Sequence, residues 1–181
     1  GDTSGGGDDE SNICEDDISL WQINPADYQY NGSATSAIYL NDELVGSEND
    51  ILVGFGPSYD CSACTDGEPS GSEAWCTDET GDPLCVVDGG TEVRGVVNGL
   101  FFPPTQTYSF NIMLFSNLTS GETITFKYYN AASNQVFCLD ETIDFESDMI
   151  IGNALSPFNF YAYGDADNPV YGCTDENACN Y

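Results

Sequence analysis

A chain of 181 residues that is 40% hydrophobic and 13% aromatic can bury one sizeable core, which excludes a disordered polymer and predicts one main domain with tails. The charge is lopsided: 31 acidic side chains face two basic ones, Arg94 and Lys127, for a formal net charge of -29. Such a surface repels phosphate backbones and anionic lipid, so nucleic acid and membrane insertion are excluded, while divalent cations are attracted and a salty medium screens the self-repulsion.

In chain order, residues 1–19 are rich in Gly, Ser and Asp/Glu and read as an acidic linker or connecting strand, with Cys14 near its end. The globular part, 20–163, opens with Trp21, Ile23, Pro25, Tyr28 and Tyr30, spaced like an entering strand with a proline at its edge. Ala37 to Leu40, Asn41-Asp42 and Leu44-Val45 predict strand, turn, strand. Ile51 to Phe55 is a short continuous apolar run, as in a strand covered on both faces. Residues 56–90 break the pattern with Gly, Pro, Ser and Asp, and hold Cys61, Cys64, Cys76 and Cys85, which predicts an inserted, cross-linked loop. Val93 to Val97 resumes the sheet.

The firmest local signal follows. Tyr108, Phe110, Ile112 and Leu114 alternate with polar or outward residues, and Ile124, Phe126 and Tyr128 alternate with Thr123, Thr125 and Lys127. With Asn117 to Gly121 as the turn, the two runs predict a β-hairpin on a buried face. Gln135 to Leu139, Ile143 to Phe145, Met149 to Ile151 and Phe158 to Tyr163 supply later strands, and residues 164–181 form an acidic tail. Many short strands between turn signals predict an all-β, antiparallel β-sandwich of jelly-roll or immunoglobulin-like type with the Cys-rich loop inserted.

The succession NPADYQYNGSATSAIYL, NDILVGF, EVRGVV, YSFNIMLFSNLTSGETITFKYYNA and ETIDFESDMIIGNALSPFNF resembles a β-sandwich module that recurs in large secreted surface proteins of marine microbes. The tail from Gly172 to Tyr181, GCTDENACNY, is similar to the opening of the GCTDPxACNY repeat that stands beside such modules, with Glu176 in place of proline and without the repeat's acidic second half. The resemblance implies an extracellular, multidomain, non-enzymatic setting and assigns no ligand.

Eight cysteines in loop-like sequence predict an oxidising compartment and disulfides. The sequons at Asn31 and Asn117 fit secretion, Asn117 falling on the predicted turn where a glycan could stand clear. Starting at Gly1 without an apolar leader, the chain reads as a processed or excerpted soluble piece. Cys61, Cys64, Cys76 and Cys85 could close a zinc site, but the long spacing of the second pair favours disulfides. Pairing Cys173 with Cys179 inside the tail leaves Cys14 and Cys138 by elimination among 105 connectivities.

Arg94, in a strand motif of a chain with two cations, is expected to be held structurally by carboxylates in a bidentate pair, a ligand-contacting role being the alternative. Gly95 beside it predicts a bulge or close backbone approach. Asp165, Asp167, Asn168 and Asp175 place oxygen ligands as a calcium loop would, against the plainer reading of a solvated acidic linker. No His is present, so Ser-His-Asp and Cys-His catalysis are excluded, and with 31 carboxylates acidic pairs arise by chance. Two functions are expected. The first is a structural or adhesive link of a surface fibre, with copies of itself or neighbouring domains as partners. In that scheme Ile13, Ile18 and Leu20 supply a strand to a neighbour and Cys14 makes the join covalent. The second is a carbohydrate-binding module in which Trp75, Tyr59, Phe101 and Phe102 stack on glycans.

Overall fold

The computed structural model describes residues 11–59 and 86–164, apart from the side chains at 59 and 86–90. Cys61, Cys64, Cys76, Cys85, Cys173, Cys179, Trp75, Asp165, Asp167, Asn168 and Asp175 lie outside the described residues. Among the described residues eleven strands run in chain order: β1 (Ile13–Cys14), β2 (Tyr30–Leu40), β3 (Glu43–Val45), β4 (Ile51–Tyr59), β5 (Val86–Asn98), β6 (Leu100–Phe102), β7 (Thr107–Ser116), β8 (Ser120–Asn130), β9 (Gln135–Glu146), β10 (Ile150–Ile151) and β11 (Phe158–Ala162). They form the expected all-β, sandwich-like fold of two curled sheets. One sheet is ordered β1-β9-β8-β4-β5 and the other β10-β2-β7-β6, with β3 and β11 also paired to β2. Most pairs are antiparallel, while β10 and β11 lie parallel to β2.

The alternation of β7 and β8 is as read, with Phe110, Ile112 and Leu114 on one strand and Ile124, Phe126 and Tyr128 on the other almost wholly buried. Their predicted hairpin is not formed. β7 pairs with β2 and β6, whereas β8 pairs with β4 and β9. Residues 117–119 therefore carry the chain from one sheet to the other, as an arch. Alternation fixes which side of a strand is apolar but not which strand lies beside it. Two apolar faces can meet across an interior as well as share a sheet, and Phe110 meets Tyr128 edge-on at 5.9 Å from opposite layers.

The strands flanking the predicted insertion are longer than the composition of 56–90 suggests. β4 continues through Gly56-Pro57-Ser58 to Tyr59, opposite Val86 at the start of β5, with register shifts after Gly54 and Pro57 that absorb the proline and glycines as bulges. Likewise 135–146 is one strand rather than two. At the tight turn after β2, Asn41 and Asp42 take φ of 50° and 65°, the left-handed pair that a two-residue hairpin needs.

Trp21 to Tyr28, expected as part of an entering strand, belong instead to a strap, residues 15–29, with two single-turn 3-10 helices, Ile18–Leu20 and Pro25–Asp27, capped by Asp17 and Asn24 side chains. The strap lies on the outer face of the β4-containing sheet. Trp21 is 5% exposed there, packed with Val53 and Val136 and edge-on to Phe55 at 6.5 Å. This explains how Ile51 to Phe55 comes to be apolar throughout: Leu52 faces the main core and Val53 faces the strap. Lys127 is drawn across the same face by Asp16, at 2.8 Å.

The strap's beginning is bolted down. Cys14 and Cys138 form a disulfide with Cα atoms 5.7 Å apart, the pairing reached by elimination, and β1 adds to β9 of its own chain. The strand that Ile13 was expected to lend to a neighbour, with Cys14 as the covalent join, is thus used internally, because β9 offers an unfilled edge only a disulfide's reach away. Asn12 then ties the two ends of the sandwich together. Its amide donates to Tyr163 O at 2.9 Å, its carboxamide donates to Tyr161 O at 3.2 Å and accepts from Tyr163 N at 2.7 Å, and its carbonyl accepts from Cys138 N at 2.8 Å. On the other side of β11, Asn41 brackets Gly164 through both carboxamide atoms.

Gly95 makes the close approach expected of it. A Cβ there would run into the Met113 carbonyl oxygen of β7, with Leu114 Cδ2 at 3.1 Å. Gly95→Ala is expected to cost about 1–3 kcal/mol by forcing β5 off β7, read as a lower urea midpoint with an unchanged slope. An unchanged midpoint would show that the two strands separate freely.

Candidate functional site

The densest group of polar side chains is built around Arg94, whose side chain is fully buried between the sheets. Its guanidinium meets Glu122 as a fork on a fork: Nη1 to Oε2 at 3.1 Å and Nη2 to Oε1 at 2.7 Å. Nη1 also donates to Phe115 O at 3.2 Å, Nη2 to Pro57 O at 2.7 Å, and Nε lies 3.0 Å from Glu92 Oε1. The four donors of Nη1 and Nη2 are thereby hydrogen-bonded, and Nε faces the Glu92 carboxylate as an ion pair. The Tyr28 ring covers the cation at 5.3 Å, and its hydroxyl donates to Glu92 Oε1 at 3.3 Å and Val93 O at 3.2 Å.

Local sequence places each member. Gly56 leaves room for the Arg94 stem, since a Cβ there would sit 2.9 Å from Arg94 Cγ. Ser116 and Glu122 flank the arch, and the Ser116 hydroxyl donates to Glu122 Oε2. The tight change of sheet thus delivers one carboxylate inward to the cation of β5. The bidentate carboxylate expected for Arg94 is shown, but its identity was not read. The available signal was parity, because Glu122 shares the inward phase of Ile124, Phe126 and Tyr128.

A second buried group lies at the other end of β8. Asp50, 2% exposed, accepts from the Tyr128 hydroxyl at 2.6 Å, Ser47 Oγ at 2.7 Å and Ala131 N at 3.0 Å, and Asn130 donates to the Tyr128 oxygen at 3.1 Å. Among the described residues no group of three or more His, Cys, Asp or Glu could hold a metal ion, and no helix is long and apolar enough to cross a membrane.

Protonation follows these surroundings. Burial, reinforced by the Glu92 charge, pushes the Tyr28 phenol up to about 12, and burial with the Asp50 hydrogen bond pushes Tyr128 well above the usual phenol range. Burial raises Glu92 despite the opposing charge of Arg94. Burial also pushes Asp16 up, but hydrogen bonds from Lys127, Trp21 and the Asp17 amide outweigh it and leave that carboxyl below 3.8. For raised phenols the stabilisation is complete below pH 10 and is lost as pH climbs through the folded values, because the unfolded chain releases those protons first. Absorbance at 295 nm should show Tyr128 ionising only as the fold is lost. Tyr128→Phe should remove that late phase. Full ionisation with the near-ultraviolet dichroism intact would contradict it.

The other predicted residues are scattered. Asn31 is exposed on β2, with its carbonyl accepting from Asp148 N at 2.8 Å. Asn117 lies in the arch as a half-buried side chain. Its carboxamide accepts from Gln29 N at 2.6 Å and donates to Asp27 O at 2.8 Å, so it faces the strap rather than standing clear. Phe101 is 47% exposed beside Tyr108, with ring centroids 5.4 Å apart, and Leu100 is 59% exposed, so β6 offers an apolar rim. An additional aromatic pair, Tyr39 stacked on Tyr161 at 5.4 Å, sits where β2 and β11 run side by side.

Fold and site together define a disulfide-clamped all-β sandwich with two buried polar groups, of which the Arg94 group reaches both sheets through Phe115 O and the Ser116 hydroxyl. No family model, curated protein or solved structure matches this chain.

Proposed function

We propose that this domain is a non-enzymatic extracellular link of a cell-surface fibre or matrix, joined to its neighbours through the continuing chain rather than by lending β1. One observation carries the reading: the side chains most capable of chemistry, Arg94, Glu122, Asp50 and Tyr128, are buried and spent on one another inside the sandwich. The Cys14–Cys138 bond suits an oxidising medium, and a net charge of -29 suits a saline one. The likeness of 21–161 to sandwich modules of marine microbial surface proteins, and of 172–181 to their Cys/Asp repeat, points the same way. Asn31 is the better placed of the two sequons for a glycan.

Antibodies raised against the folded domain test the proposal on native cells. Surface labelling without permeabilisation, on a polypeptide that remains attached to other domains, supports it; a freely soluble cytosolic antigen overturns it. Calcium is the proposed cation, through Asp165, Asp167, Asn168 and Asp175 or through the surface as a whole. Millimolar calcium is then expected to raise Tm by several degrees beyond sodium chloride of matched ionic strength. Equal shifts would reduce the effect to screening.

The exposed Phe101 favours a second reading, a carbohydrate-binding module with β6 as its stacking rim. Retention on immobilised polysaccharide that disappears in Phe101→Ala would support it, and equal retention of both proteins would remove it.

A further inference from the structure

We propose that the Cys14–Cys138 disulfide is a force shunt: when the chain is pulled from beyond both ends of the sandwich, tension passes from Cys14 straight to Cys138, and residues 15–137 carry none of it. The inference rests on the reading of the domain as a link in a fibre, where tension is the stress it would meet.

The geometry sets the order of events. Asn12 and Tyr163 lie side by side, so separating the two ends loads their hydrogen bonds one after another rather than together. β1 is only two residues long and offers little further resistance. The next element on that side is Cys14, whose covalent partner stands in β9. On the other side, β11 peels from its partner strand β2, and the path returns through β10 and then along β9, paired with β8, to Cys138. Both buried polar groups and the strands β2, β4, β5, β7 and β8 fall inside the covalent loop. The part of the sandwich inside the loop therefore bears no tension while the segment 138–164, which carries Leu139, Ile143, Phe145, Phe160 and Ala162 of the core, pays out as a tether.

The bridge also makes the extension a redox variable. A dithiol opens it by thiol–disulfide exchange: two electrons and two protons pass to the sulfurs of Cys14 and Cys138, and the reductant leaves as its own cyclic disulfide. About 152 residues separate Asn12 from Gly164, and the bond spans 124 of them, so about 28 remain extensible when it is closed.

Single-molecule pulling of the whole chain, with handles beyond Gly1 and Tyr181, reads this directly. The oxidised protein should gain roughly 100 Å of contour length between its folded and fully extended states. The Cys14→Ala/Cys138→Ala variant should gain roughly 450–530 Å, the lower figure applying if cross-links persist within 61–85. If that variant does not fold, oxidised protein that has folded and is then treated with dithiothreitol provides the same comparison. A gain near 500 Å from the oxidised protein, or a gain still near 100 Å once the bond is absent, overturns the shunt. The fibre reading fails separately: absence from the cell surface removes it while leaving a 100 Å gain in place.

Discussion

Replacing Arg94 by methionine is expected to destabilise the fold by about 3–5 kcal/mol, because Glu122 would remain as an uncompensated charge between the sheets. Glu122 is 3% exposed and cannot turn to water without opening the arch. Glu92 stands at the rim, with a side chain 36% exposed, and can turn outward. The double variant Arg94→Met/Glu122→Leu should recover most of the loss, since removing both charges abolishes the desolvation penalty as well as the attraction. Urea unfolding of the four proteins of this cycle measures the coupling. A single variant costing less than about 1 kcal/mol would mean that water reaches the pair, and the lock would not exist.

The second large effect is expected at Asp50. Asp50→Ala leaves the Tyr128 hydroxyl, Ser47 Oγ and Ala131 N without their acceptor, and unsatisfied buried donors cost about 1–3 kcal/mol each. Water entering the vacated space offsets part of this, so about 3–4 kcal/mol is expected in total. Asp50→Asn keeps one acceptor oxygen and should lose roughly half as much. Thermal and urea unfolding of both variants checks the ranking. If Asn and Ala were equally costly, shape rather than acceptor count would explain the position.

Much of this fold was legible because β-strand burial is written in parity. Phe110, Ile112 and Leu114, and Ile124, Phe126 and Tyr128, announce themselves by period two, and Asn41-Asp42 by turn chemistry. Arg94 was legible from scarcity, since a cation inside a strand of so acidic a chain must be answered by carboxylates. What parity does not carry is adjacency. Nothing in residues 117–119 distinguishes an arch from a hairpin, and the difference lies in distant pairings with β2 and β4. The strap was missed for a related reason. Trp21 and Tyr28 are spaced like strand residues, but their burial comes from lying across a sheet, and irregular segments leave no periodic trace. The continuous apolar run Ile51 to Phe55, with Val53 turned outward, was the hint that something covers that face.

Because Asn12 and Gly164 flank the same end of β11, the stretch from 12 to 164 is nearly a closed ring. A short bridge from Gly164 to Asn12 would complete the circle. New termini could then be opened in the four-residue turn between β8 and β9, where Asn134 already adopts a left-handed φ of 54°. Such a circular permutant keeps every strand pair but reorders the cross-link, for Cys138 and Cys14 would then be about 30 residues apart instead of 124. By the loop-closure relation, the bond would constrain the unfolded chain by about 1 kcal/mol less. The same proximity of ends would let the whole sandwich be spliced into a surface loop of another protein without forcing that host apart.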